Sequence, residues 1–207
     1  MCFEPKRIKK ILADPSGFFK GLKNENGLEK AFIYLAVISI FTVVLRLVIG
    51  QVFDQQLYGL VGSLLGANIP KIQFTSFELL TLGVIGYGSG LLVSFIWAAV
   101  LHVWCLIFRG KGSYSKSYQL AVYSSTPGLV FGWIPFVNLF VWIYSVYLLI
   151  VGTRELHKIE KTKATLMYLV PALIFVVIAL LFAYVFLTFL KLNPGILQNI
   201  TNTTRLA

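Results

Sequence analysis

Residues 125–138 read STPGLVFGWIPFVN, two prolines and two glycines inside a 37-residue run, Ser117 to Thr153, that carries no charge. As one α-helix that run would be about 55 Å long, nearly twice the roughly 30 Å hydrocarbon core of a bilayer. Two shorter helices joined at Gly132, Trp133, Ile134 and Pro135 fit it instead, and the amphipathic ring of Trp133 suits a membrane interface. The stretch therefore predicts a hairpin. The other breaker, Pro127, falls within the first arm and removes one backbone hydrogen bond there. The neighbouring hydroxyls of Ser124, Ser125 and Thr126 can satisfy the freed carbonyl. Pro127 and Gly128 read as a kink, or as a hinge or the wall of a small cavity.

Composition fixes the class. Of 207 residues, 57% are hydrophobic and 13% charged, and mean hydropathy is +0.81. Soluble domains carry about 25% charged residues, so a water-soluble fold would lack the polar surface to cover this chain. The apolar runs are continuous, unlike the period-two alternation of a β-barrel. The expectation is an all-α, polytopic membrane protein with five transmembrane helices, at about 28–49, 79–108, 117–133, 136–153 and 166–190. A basic segment, 1–27, precedes this membrane domain of 28–190, and a tail, 191–207, follows it.

The formal charge of +10 sits in blocks between the apolar runs, where topology determinants belong, and implies no nucleic-acid partner. With five spans, fourteen basic residues share one side. They are Lys6, Arg7, Lys9, Lys10, Lys20, Lys23 and Lys30, then Arg109, Lys111 and Lys116, then Arg154, Lys158, Lys161 and Lys163. Lys71, Lys191 and Arg205 lie on the other, and Arg46, one turn from the end of its span, can snorkel to the headgroups. Reading Ser117–Thr153 as one helix would make the split ten against seven. The positive-inside rule thus places the N-terminus in the cytoplasm and the C-terminus outside.

Two segments read as interfacial. Around KRIKKILADPSGFFKGL, residues Lys6, Arg7, Lys9 and Lys10 flank an apolar set including Ile8, Ile11 and Leu12, followed by Phe18 and Phe19. Such a segment is expected to lie on an anionic leaflet, and it lacks the apolar core of a cleavable signal peptide. Residues 56–70, QLYGLVGSLLGANIP, are short and interrupted by Gly59, Gly62 and Gly66, so they are expected to rest at the outer interface or partly re-enter.

Little points to chemistry. GYGSG at 86–90 does not fit a serine-nucleophile motif. Gly83, Gly86 and Gly90 instead form a face on which another helix could pack closely. His102, inside the second long apolar run, needs a hydrogen-bond partner or has a functional role. His157, in RELHKIEK, reads as a solvated loop residue. Ser117, Ala121, Ser124, Ser125 and Gly128 form a small polar stripe that packs on a helix or lines a lipid or solute path. Cys2 and Cys105 cannot build a disulfide framework or a CxxC metal site. With no P-loop, dinucleotide fingerprint or ligand cluster, no cofactor, metal or enzymatic activity is expected. In the tail, Asn199 and Asn202 each open an N-x-T glycosylation acceptor.

The order of features resembles the Yip (Ypt-interacting protein) domain family. The likeness rests on ADPSGFFKGL with GLEKAF entering the first span, then GSYSKSYQLAVYSSTPGLVFGWIP, then LLIVGTRELHKIEKTKA, over roughly residues 11–185. The resemblance implies five membrane helices with a cytoplasmic N-terminus, as the charges do. Eukaryotic members act in vesicle trafficking and interact with Rab-type GTPases. This chain lacks their long acidic N-terminal region and their Asp-Leu-Tyr-Gly-Pro motif, and so looks like the short prokaryotic form. GTPase binding is therefore not carried over. The expected partners are membrane lipids and membrane proteins or a second copy, at a prokaryotic plasma membrane or a eukaryotic Golgi or ER membrane. The expected function is a non-enzymatic scaffold or membrane-organising protein, the alternative a small transporter or channel using the kinked third span.

Overall fold

The computed structural model describes residues 5–65, 74–134 and 137–192. Among the described residues the chain is all-α, without strands. In order come α1 (Pro5–Ala13), α2 (Pro15–Gly21), a 3₁₀ turn (Leu22–Asn24), α3 (Glu29–Leu65), α4 (Ser76–Ile107), α5 (Tyr114–Ser124), α6 (Thr126–Phe131), α7 (Asn138–His157) and α8 (Lys161–Leu192). Pro135, Asn199 and Asn202 lie outside the described residues.

Local chemistry sets the boundaries. Asp14 caps α2 by accepting from the Gly17 N–H at 2.9 Å, with Pro15 in the first turn where its missing N–H matters least. Thr75 and Glu78 close a reciprocal capping box at the start of α4. α7 stops on Lys158, which takes the left-handed conformation at φ 56°.

The segment around Pro127 differs from the expected single kinked helix. α5 ends at Ser124 and α6 restarts at Thr126, because the proline removes a rung of the ladder and local hydroxyls take over. Ser124 and Ser125 donate to the carbonyls of Ala121 and Val122 at 3.2 and 2.8 Å. The Thr126 hydroxyl meets the Tyr34 hydroxyl of α3 at 3.0 Å. After α6 the chain reverses: the Ile134 N–H donates to Phe131 O and the Asn138 N–H to Ile134 O. α7 then returns alongside α6 and α5.

Among the described residues, three helices are long and apolar enough to cross a bilayer, Glu29–Ile49 within α3, Ser76–Ile107 and Lys161–Phe189. α3 continues through Gly59 and Gly62 to Leu65, so these glycines do not break the helix as the sequence reading expected. A glycine costs a helix only about 1 kcal/mol. Gly66 lies outside the described residues.

The core sits at one end. Every residue from Ser117 to Ser124 of α5 is buried, and α5 is wrapped by parts of its neighbours. These include the first third of α3 (Ala31, Tyr34, Leu35, Ile38), the last third of α4 (Ala98, Leu101, Cys105) and α7. α8 joins the core through Ala164, Met167 and Tyr168. Farther along α4 and α8, large apolar side chains such as Val84, Leu92, Phe175 and Phe182 are exposed. Apolar surface on this scale is stable when lipid is the solvent. The chain is a multi-pass integral membrane protein.

Candidate functional site at the basic end of the bundle

The core end is also the basic end. Here α1, α2 and the 3₁₀ turn lie against α5, α6 and α7. Ile11 and Phe19 are fully buried and Phe18 and Leu22 nearly so. Phe18 meets Phe19 and Tyr123 edge-on, at 5.4 and 5.0 Å between ring centres. Phe18 and Phe19, expected at the lipid surface, are thus packed inside the protein. Their apolar face found helices with complementary surfaces, which exclude water as well as lipid does. Lys6, Lys9 and Lys10 remain exposed on the opposite face of α1.

Polar contacts fix this N-terminal layer. The Lys116 ammonium donates to the carbonyls of Leu22 and Glu25, and the Gln119 amide donates to those of Glu25 and Gly27, both at 3.0 Å. Arg7 pairs with Glu25 at 2.7 Å and sits over the Tyr123 ring at 5.3 Å. Tyr144 donates to Leu12 O at 2.7 Å. Glu155, 7% exposed, accepts from Lys23 at 2.9 Å and Arg154 at 2.8 Å. Burial works against its charge, but the hydrogen bonds and positive charges of Lys23 and Arg154 prevail and hold the carboxyl below its usual range.

Behind this layer runs a chain of three side chains. His102 Nδ1 lies 2.9 Å from Ser117 Oγ, and Ser117 Oγ lies 3.1 Å from His157 Nε2. His157 is fully buried rather than a solvated loop residue, because it is the last residue of α7 and its ring packs under the loop at Gly112. Its backbone carbonyl accepts from the Lys111 N–H. His157 Nδ1 has no partner among the described residues. The Ser117 hydroxyl has one proton to give and two lone pairs to accept with. A proton on His157 Nε2 leaves Nδ1 a bare lone pair, whereas the other tautomer would strand a buried N–H, the costlier arrangement. His157 Nε2–H therefore donates to Ser117, whose oxygen also meets His102 Nδ1. Burial, with His102 acting in the same direction, lowers the His157 pKa to about 4.

The predicted packing glycines separate. Gly83 lies against Val43 and Leu47 of α3, but β-carbons built on Gly86 and Gly90 would meet nothing within 4 Å. Among the described residues those two meet no neighbouring helix. Gly128 approaches Val141 of α7. Ser124 is buried and Ser125 partly so, and both hydroxyls are bonded to backbone at the α5–α6 break. Sequence reasoning missed Gln119 and Gly152 and assigned Lys116 and Glu155 only to a charged loop. The three-residue spacing of Lys116 and Gln119 puts them on one helix face, but nothing local announces partners about ninety positions earlier. Among the described residues, no three His, Cys, Asp or Glu side chains cluster as metal ligands.

The Yip1 domain model matches residues 9–184. No curated protein and no solved structure matches the chain. The matched region takes in the N-terminal layer from Lys9 onward, the α5–α6 break, the buried histidine and most of α8; Lys6 and Arg7 precede it. The chain belongs to the Yip1 domain family.

Proposed function

We propose that this chain is a non-enzymatic membrane-organising protein whose basic end, in the cytoplasm, holds anionic lipid headgroups and partner proteins, with the C-terminus on the other side. The observation that carries this reading is an imbalance of free charge. Glu25 and Glu155 are engaged by Arg7, Lys23 and Arg154, while Lys6, Lys9, Lys10, Lys20 and Lys30 stay exposed around them. Each basic residue near an anionic leaflet contributes about 1 kcal/mol. Family membership supports a membrane protein of the Yip type. The scaffold reading is favoured over a transporter because the hydroxyls at the α5–α6 break are bonded within the fold.

The sequence reading counts five crossings, two of them made by the α5–α7 hairpin. Cysteines at Glu160 and Thr203 test the orientation: an impermeant thiol reagent outside should modify only the second. For lipid binding, full-length protein and a K6Q/K9Q/K10Q variant are purified with native lipid and compared by mass spectrometry. The variant should retain less anionic lipid, and high salt should narrow the difference. Equal retention of anionic and neutral lipid by both proteins would sink the proposal.

A further inference from the structure

The loop that joins α4 to α5 reads RGKGSYSK over residues 109–116 and carries no acidic side chain. Arg109, Lys111 and Ser113 are exposed, and among the described residues neither Arg109 nor Lys111 takes part in an ion pair. The loop is nonetheless fastened from below. Its Gly110 N–H donates to Cys105 O at 2.8 Å, and its Lys111 N–H donates to His157 O at 2.9 Å. The next four N–H groups, those of Gly112, Ser113, Tyr114 and Ser115, take no acceptor among the described residues. The last two open α5, whose N-cap Ser113 makes no side-chain bond to the helix. Free N–H groups at a helix start, beside two unpaired cations, favour an anion.

His157 narrows the choice of anion. The side chain is fully buried, and its Nδ1 has no partner among the described residues. Nδ1 is also the atom nearest to where a β-carbon on Gly112 would stand, at 2.6 Å. It therefore points at the loop one residue before the N-cap, where Gly112, itself only half-buried, has no side chain to stand in the way. With the ring proton on Nε2, Nδ1 offers a lone pair and needs a donor. Sulfate, fully ionised, has no proton to give, and neither has an ionised phosphodiester. A phosphate monoester keeps its second proton up to about pH 6. It brings anionic oxygens for the N–H groups and cations, and one hydroxyl for the imidazole.

The place in the bilayer suits such a ligand. Val103, Leu106 and Ile107, in the last turns of α4, are exposed apolar side chains that lipid must cover. Arg109 follows Ile107 by two residues, so the loop stands where acyl chains give way to headgroups.

We propose that the α4–α5 loop and the first turn of α5 bind a singly protonated phosphate monoester, either the headgroup of phosphatidic acid or free phosphate. Arg109, Lys111 and the N–H groups of residues 113–115 take its anionic oxygens, and its hydroxyl donates to His157 Nδ1. No covalent bond changes, and the proton stays on the phosphate. This site deepens the headgroup-holding reading and rests on it. It adds a selectivity that the lysines of α1 do not provide, because exposed ammonium groups attract any anion.

The test uses full-length protein, delipidated in neutral detergent at about pH 6, titrated by calorimetry with inorganic phosphate or with sulfate. Phosphate should bind, and sulfate should bind about tenfold more weakly, because it sets an oxygen lone pair against that of Nδ1. R109Q/K111Q, which changes only exposed side chains, should lose about tenfold in phosphate affinity. His157→Gln, whose amide can donate, should bring sulfate level with phosphate. In a second arm, the protein is placed in nanodiscs of phosphatidylcholine with equal phosphatidic acid and phosphatidylglycerol, and retained lipid is counted by mass spectrometry. Enrichment of phosphatidic acid identifies the lipid as the source, and phosphate binding without that enrichment identifies the free ion. Equal affinity of the unaltered protein for phosphate and sulfate would overturn the hydrogen bond to His157. Absence of phosphate binding together with equal retention of the two anionic lipids would overturn the site. K6Q/K9Q/K10Q should leave both readouts unchanged, so failure of the lysine surface of α1 would show separately.

Discussion

Gly152 of α7 and Phe19 of α2 are packed so closely that a β-carbon on the glycine would fall 2.9 Å from the ring, and closer still to Leu120 of α5. Three helices meet at this point because one of them has no side chain there. Gly152→Val should therefore force α2 and α5 apart, at a cost of about 1–3 kcal/mol. A lowered thermal midpoint in detergent and faster tryptic cleavage at Lys20 and Lys23 would report it. An unchanged midpoint would mean that the N-terminal layer adjusts freely.

His157 should make the basic end acid-sensitive. Its folded pKa of about 4 lies below the ordinary 6.5, so the folded state favours the neutral ring. That contribution is fully present above about pH 6.5 and is lost as pH falls toward 4, a change of about 3 kcal/mol. Unfolding measured between those limits should show the loss, and His157→Gln should flatten the profile.

Ser117→Ala removes the hydroxyl shared by His102 and His157. Two ring nitrogens then lose their partner in a closed site, and the expected destabilisation is about 1–3 kcal/mol. Ser117→Thr, which keeps the hydroxyl, should recover most of it. Equal loss in both variants would indicate a steric cause.

Glu155→Gln tests the ion pairs. Lys23 and Arg154 are 45% and 34% exposed, so solvent screens both, and the expected cost is about 1 kcal/mol. The Glu155 carboxyl is held below its ordinary range, so its contribution is present above that range and disappears as pH falls through the folded value. A double-mutant cycle with Lys23→Met should give a coupling that shrinks at high salt.

Lys116→Met leaves the carbonyls of Leu22 and Glu25 without their ammonium donor. Hydrogen exchange should rise over residues 5–27, while exchange in the far part of α4 stays unchanged. Uniform exchange changes along the chain would contradict a local clasp.

Hydropathy alone made the long apolar helices legible, and the Pro and Gly residues of 125–138 marked the reversal, while the α5–α6 break was read only as a kink. What hydropathy could not supply was the identity of the apolar neighbour. Ile11, Phe18 and Phe19 show the same amphipathic pattern whether they face lipid or protein; here all three are buried in the core, Phe18 against Tyr123 of α5 and Phe19 against Gly152 of α7. His157 stands among charged residues in the sequence, yet it lies on the same helical face as Thr153, which is also fully buried. Gly86 and Gly90 are the opposite case, meeting no helix among the described residues. Their spacing permits close helix approach without stating that a helix is there.

The N-terminal layer also has a history in time. Leu12 and Lys23 take partners in Tyr144 and Glu155, each 132 positions later in the chain. At about 5–20 residues per second, synthesis of that interval takes roughly 7 to 26 seconds. For most of it, Ile11, Phe18 and Phe19 exist while α5 and α7 do not. A basic amphipathic segment in that interval has the surface of the membrane to rest on. The nascent chain thus visits the interfacial state that its sequence describes, and leaves it only when the fifth and seventh helices arrive to take the aromatic rings.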